Sequence, residues 1–198
     1  MPDVKHFDPD TALEAVERLF WRQGAAVTSI QAVAAATGLN RSSLYATFGG
    51  KRELYRAALR RYLAERAEPA LRSLAGDGRG LPAIREFFAG LIDVRCSGEY
   101  AGWGCMVVNA SSGAERGDPV VSELLEGHYR LLRDAFRAAL EAAARRDQLA
   151  AGCSAADAAE VLAVLAYGVN VRSRAGADAD VLHRAVAAAL APLERVTP

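Results

Sequence analysis

The stretch Thr28–Lys51, TSIQAVAAATGLNRSSLYATFGGK, decides how the chain folds. Read at helical spacing it holds two short helices hinged on a glycine. Thr28 is expected to open the first: its hydroxyl accepts from an amide three residues on while Gln31 reaches back, a capping box. Ile30, Val33 and Ala34 give that helix an inner face. Gly38 ends it, because glycine tolerates the left-handed conformation that a sharp turn requires. Leu39 plugs the turn, and Asn40 caps a second helix whose Leu44 and Phe48 sit four apart on one side. Arg41, Ser42, Ser43, Tyr45 and Thr47 remain outside, on a face that is polar, short-chained and free of acid. This is the pattern of a helix-turn-helix, the unit that lays its second helix in the major groove of DNA. Hairpins of similar composition also occur in unrelated bundles, so the flanking residues must carry the rest.

Working outward, nearly every segment reads as helix, and no alternating β-branched run suggests a strand. An all-α fold is expected. A first helix spans about residues 9–23, with Leu13, Val16, Leu19 and Phe20 on one stripe and Glu14, Glu17, Arg18 and Arg22 opposite. Gly49-Gly50 precedes a long helix over about 51–75 with Leu54, Ala58, Leu59 and Tyr62 spaced for packing. AGDGRGLP, at 75–82, is a loop by composition and the best boundary between an N-terminal unit, 6–66, and a C-terminal one, 80–198. Further helices are expected at about 82–97, 105–112, 119–146, 155–174 and 178–191, which makes about nine in all. The 119–146 helix puts Leu125, His128, Leu132 and Phe136 on one apolar face.

The 198 residues are 52% hydrophobic, enough to bury a real core. Net charge is zero, but its distribution is uneven: residues 1–62 hold nine Lys or Arg against six Asp or Glu, leaving 15 against 18 for the remainder. A mildly basic head permits a phosphate-binding surface without demanding one. No apolar run reaches 18 residues and no secretory leader is visible, so a cytoplasmic protein with no membrane partner is expected. Cys96, Cys105 and Cys153 form no metal-binding or disulfide pattern, and no cofactor is implied.

Taken together, residues 12–59 resemble the N-terminal DNA-binding domain of the TetR family of bacterial repressors. The likeness rests on RLFWRQG, TSIQAVAAATGL, SSLYATFGGK and KRELYRAAL, with Leu44-Tyr45, Phe48, Gly49, Lys51 and Leu54 all in place. The chain has only two lysines, and the resemblance gives one of them a purpose. Lys51, in the first turn of a helix, and the Tyr45 hydroxyl would grip phosphates, with Thr28 as a third candidate. Arg41, Ser42 and Ser43, helped by Thr47, would read base edges. One departure is Gly50, where a capping Ser, Asn or Asp is more usual; the helix start at Lys51 should be slightly looser for it. Read singly, Tyr45 has a half-buried core tyrosine as its lesser alternative, and Lys51 is as readily a solvated charge.

The resemblance thins beyond residue 80, where it is carried chiefly by GWGCMVVNASSGAERGDPVV. It implies a homodimer formed through the last two helices, where Ala163, Ala166, Gly168, Ala185 and Ala189 would allow close approach, on a pseudo-palindromic operator. It also implies a cavity for an unknown small-molecule effector. Phe87, Phe88, Leu91, Trp103, Met106, Asn109, His128 and Tyr167 are candidates to line it, although each is as readily a core residue. Cys105, expected at a helix N-terminus, is either a thiol open to electrophiles, with Cys96 to resolve it, or a small buried hydrophobe. Two other functions are conceivable. A cysteine hydrolase built on Cys105 and His128 lacks an orienting third residue and any phosphate loop. A helical interaction protein without DNA binding leaves Tyr45 and Lys51 unexplained.

Overall fold

A computed structural model describes residues 8–195. They form α1 (Pro9–Gln23), α2 (Ile30–Thr37), α3 (Arg41–Phe48), α4 (Lys51–Tyr62), α5 (Glu68–Gly76), α6 (Leu81–Cys96), α7 (Met106–Ser111), α8 (Pro119–Arg145), α9 (Ala155–Arg174) and α10 (Ala179–Leu190). A π turn, Leu63–Ala67, joins α4 to α5, so the two run as one rod and the described residues hold nine helical bodies. Pro69 explains the turn. It has no N–H to donate and its ring displaces the carbonyl four residues back, so the helix widens by one residue there. The described residues contain no strand, only an isolated bridge between Leu149 and Glu194. The expected boundary positions 6, 7 and 196–198 lie outside the described residues.

Most helices begin on a side-chain cap that the sequence provides. Asp8 accepts from the amides of Asp10 and Thr11, Asn40 from Ser43, Asp118 from Val120 and Val121, and Ser154 from Asp157. The start of α2 differs from expectation. Ser29, not Thr28, is its cap, accepting from Ala32 at 3.1 Å. Thr28 is turned inward, 1% exposed, and its hydroxyl donates to the Gly24 carbonyl at 2.6 Å, closing the α1–α2 turn. Gly38 takes φ +69, as a left-handed helix end requires.

Two cores form. One gathers Leu71, Ile84, Phe88, Ile92, Leu132, Phe136, Leu140, Leu162 and Val186 from α5, α6, α8, α9 and α10. The other holds Val16, Phe20, Trp21, Val33, Leu44, Leu54, Leu59 and Tyr62 of the N-terminal helices. It also takes in Cys105, Met106, Val107, Val108 and Ala110 from the α7 region, and Val121 and Leu125 of α8. The N-terminal helices therefore do not close on themselves. The apolar α7 plugs them from below, and its burial against α1 and α4 welds the two parts of the chain together.

Glu17 departs from its expected outward face. It is 0% exposed between α1 and α4, where Arg66 Nε donates to it at 2.5 Å and Arg61 Nε lies 3.3 Å away. Burial still pushes its carboxyl above the ordinary glutamate value, against the pull of Arg66 and Arg61.

Candidate nucleic-acid interface

The helix-turn-helix is built around Leu44, 2% exposed, which anchors α3 in the second core while Phe48, Leu39, Ile30 and Ala34 pack against its edge. With that side fixed, the 3.6-residue repeat turns Arg41, Ser42 and Tyr45 to solvent, and Ser43, Thr47 and Lys51 are half-buried on its flanks. Tyr45 is 48% exposed, so it is not a core tyrosine. Its ring lies against Gly50, 3.6 Å from where a Cβ would stand, and this sets the phenol beside the first turn of α4 that carries Lys51. Gly49 and Gly50 have φ of +83 and +142, which lets the chain leave α3 and re-enter a helix within two residues. Six of the seven expected contact residues thus lie along α3 and the start of α4. The seventh, Thr28, is spent inside the α1–α2 turn, and the exposed Ser29 takes its place at the α2 N-terminus.

Several polar ties hold this unit to the rest of the molecule. Arg56 of α4 makes a bidentate pair with Asp118, the cap of α8, at 2.7–3.2 Å. The guanidinium holds the Asp118 carboxyl below the usual carboxylate range. Trp21 Nε1 donates to the Gly104 carbonyl at 2.9 Å, and the Ala26 amide donates to Glu115 at 2.9 Å.

The nine effector-region candidates are not gathered around one cavity. Phe88 is 0% exposed in the first core. Phe87 and Leu91 border a cavity of about 600 Å³ between α1, α4, α5 and α6. Met106 and Asn109 border a smaller one of about 310 Å³ beside α1 and α9. His128 faces a third space, against α4 and α5, and Tyr167 a fourth beside α8. Their scatter follows from α6 and α8 each being buried on more than one side. Trp103 closes an aromatic cluster with Trp21 at 5.3 Å and Tyr100 at 5.1 Å. Cys105 is 4% exposed beside Tyr62 and Arg95, and all three cysteines are free. Cys105 does not border the cavity that His128 faces, and the guanidinium of Arg95 neighbours both residues.

The 600 Å³ cavity also has walls that the sequence reading did not single out: Trp21, Tyr62, Arg66, Arg95 and Tyr100. The available signal was Arg95 itself. It follows Ile84, Phe88 and Ile92 at helical spacing, and a charge on a buried stripe is the informative exception. Among the described residues no cluster of metal-ligating side chains occurs, and no helix is long and apolar enough to cross a membrane.

An exposed recognition helix, seated on a three-helix core and tied to a larger helical body with cavities, defines a helix-turn-helix DNA-binding transcriptional regulator. The comparisons with known proteins identify which kind. Residues 12–58 match the model of bacterial regulatory proteins of the tetR family, and residues 80–189 match the Tetracyclin repressor-like C-terminal domain. The chain belongs to the TetR family. It is 26% identical over 179 residues to the HTH-type transcriptional repressor ComR of Escherichia coli (strain K12), covering 90% of this chain and 85% of that one. It is 30% identical over 132 residues to the HTH-type transcriptional regulator YezE of Bacillus subtilis (strain 168), covering 67% and 68%. Among solved structures, a cysteine-substituted form of the TetR family regulator CifR, complexed with 26 bp double-strand operator DNA, superposes with a TM-score of 0.83. That form is 27% identical, with 96% of this chain and 98% of that one covered.

Proposed function

We propose that the chain is a homodimeric repressor that seats one α3 from each copy in successive major grooves of a pseudo-palindromic operator and leaves it when an effector occupies the C-terminal part. Residues 6–66 would serve as the DNA-binding unit and 80–198 as the effector and dimerisation unit. The observation that carries the reading is the outer side of α3: Arg41, Ser42 and Tyr45 stand in solvent directly behind the buried Leu44. The similarity to ComR, a repressor, and to CifR, solved on operator DNA, supports repression and operator binding.

Dimerisation is supported by a patch that none of the other described residues covers. Val161, Val164 and Val171 on α9 are 59%, 59% and 54% exposed, and Val181 on α10 is 46%. Four large apolar side chains on adjacent helices, with Gly168 and Ala185 open among them, suit a four-helix bundle with a second copy. Ala163 and Ala166, by contrast, are 0% and 2% exposed and serve the internal core. Release by a reactive species would act through Cys105, whose thiol an electrophile reaches only after the surrounding aromatic side chains part. The test of the whole reading is a gel shift with DNA from upstream of the protein's own gene. Specific retardation that outlasts excess random DNA is expected, and binding no stronger than to random DNA would sink it in favour of a helical interaction protein.

A further inference from the structure

We infer that the cavity between α1, α4, α5 and α6 is the effector site and that its ligand is an organic acid: an apolar, ring-sized body with one carboxylate placed against Arg95. This rests on the reading of the chain as an effector-controlled regulator and names the chemistry of the effector.

Arg95 lies on the inner face of α6, only 9% exposed, and guanidinium cannot shed its charge in a protein. Its Nε donates to Asn170 Oδ1 at 2.7 Å, an Nη2 proton goes to the Tyr62 hydroxyl at 3.2 Å, and its face stands 5.7 Å from the Trp21 ring. All of these partners are neutral. The Cys105 thiol is a further neighbour of the guanidinium, and among the described residues no carboxylate lies within ion-pair distance of Arg95. A buried cation held only by dipoles is costly, and it gains most from an anion.

The same guanidinium forms part of the wall of the 600 Å³ cavity. The other charges around that wall each have an ion-pair partner, with Asp77 and Glu86 sharing one guanidinium. Arg66 pairs with Glu17, Glu65 with Arg61, and Asp77 and Glu86 with Arg79. Trp21, Phe87, Leu91, Val94 and Tyr100 supply apolar surface, so one unmatched positive charge sits in an aromatic chamber. A neutral ligand would leave that charge uncompensated, and an inorganic anion would leave the apolar walls wet. A compound with a flat body and a single acid group satisfies both.

The position also gives such a ligand a route to the DNA. Trp21 belongs to α1, which packs on α2 and α4, and Tyr62 to α4, which together with α2 holds α3. A body wedged against Trp21 presses on its ring and on its 2.9 Å bond to Gly104, and so on the tilt of the helix-turn-helix.

The test uses the full-length protein and a matched pair of probes, 2-naphthoate and the uncharged 2-naphthamide, titrated by calorimetry. Wild type is expected to bind the acid at least about tenfold more tightly than the amide, the scale of one charge-assisted bidentate contact. Arg95→Met should bring the ratio near one with the amide affinity kept. Gly90→Leu narrows the cavity from a wall position where an added Cβ meets nothing within 4 Å, so it should weaken both probes and leave Arg95 in place. Equal affinities in wild type, an acid preference that survives Arg95→Met, or affinities untouched by Gly90→Leu would overturn the inference. A gel shift in the presence of 2-naphthoate separates the two readings. Arg95-dependent binding that leaves the operator bound upholds the site and defeats effector release, whereas release that ignores Arg95→Met defeats the site.

Discussion

Tyr45, Lys51 and Arg41 share one surface yet should fail in different ways when changed. Tyr45→Phe and Lys51→Ala remove groups proposed to grip phosphates, so affinity should fall for every DNA sequence alike, with the lysine variant flattening the log–log salt slope by about one unit. Arg41→Ala should in addition cost about 1–3 kcal/mol of preference for the operator over a base-substituted site. Fluorescence anisotropy at two or more salt concentrations reads both effects. His128 yields a prediction of another kind. It is 8% exposed, its Nδ1 has no partner, and burial together with the nearby Arg95 pushes its pKa down to about 4 from an ordinary 6.5. Between those values the unfolded chain binds a proton that the folded one refuses, so stability is complete above pH 6.5 and declines as the pH falls towards 4. Wild type should lose roughly 2–3 kcal/mol more than His128→Leu between pH 7 and pH 4.5 in urea melts. Glu17, shifted in the opposite sense, is common to both proteins and cancels in the comparison. Single residues were where sequence reading did least well. Glu17 looks like a surface charge in the linear order and only its neighbours on other helices bury it, whereas Arg95 continues the apolar stripe of Ile84, Phe88 and Ile92 and was passed over.

At the scale of the element, spacing and caps were legible because they are local. The bounds of α1, α8 and α9 follow from Asp8, Asp118 and Ser154, each beside its own amides. Asn40→Ala should cost about 1 kcal/mol by freeing the Ser43 amide and loosening the recognition helix, measured as a lower urea midpoint and weaker operator binding. Gly50 is instructive in the opposite direction. From sequence it is a missing cap, and replacing it with Ser should tighten the start of α4. Its φ of +142 and ψ of 176 are open essentially to glycine alone, and a Cβ would meet Glu53 Oε2 at 3.2 Å. Gly50→Ser is therefore expected to destabilise by about 1 kcal/mol or more, the backbone penalty exceeding any cap gained. A raised melting temperature in that variant would show the glycine to be merely tolerated. The π turn at 63–67 was not anticipated, because a helical period runs through it; its available signal was Pro69 inside that run.

For the molecule as a whole, the bare valines of α9 and α10 are the surface on which the proposed assembly turns. The double change Val161→Asp and Val164→Asp places two charges in that patch. It should shift the protein towards monomer in sedimentation at micromolar concentration, and operator affinity should drop far more than non-specific binding, because two linked half-sites become one. The fold of a single copy should survive, as both side chains are more than half exposed. The helix count, the helix-turn-helix and its polar face were fixed by the sequence alone, because periodicity, capping and glycine turns act within a few residues. What waited for the tertiary structure was everything that depends on distant segments meeting: α7 sharing the core of the N-terminal helices, Thr28 turned inward, and the effector candidates parted among separate cavities. The unmatched charge of Arg95 belongs with these. Its burial and its lack of a counter-ion are properties of four helices at once, and no short-range pattern in the chain encodes the empty space they enclose.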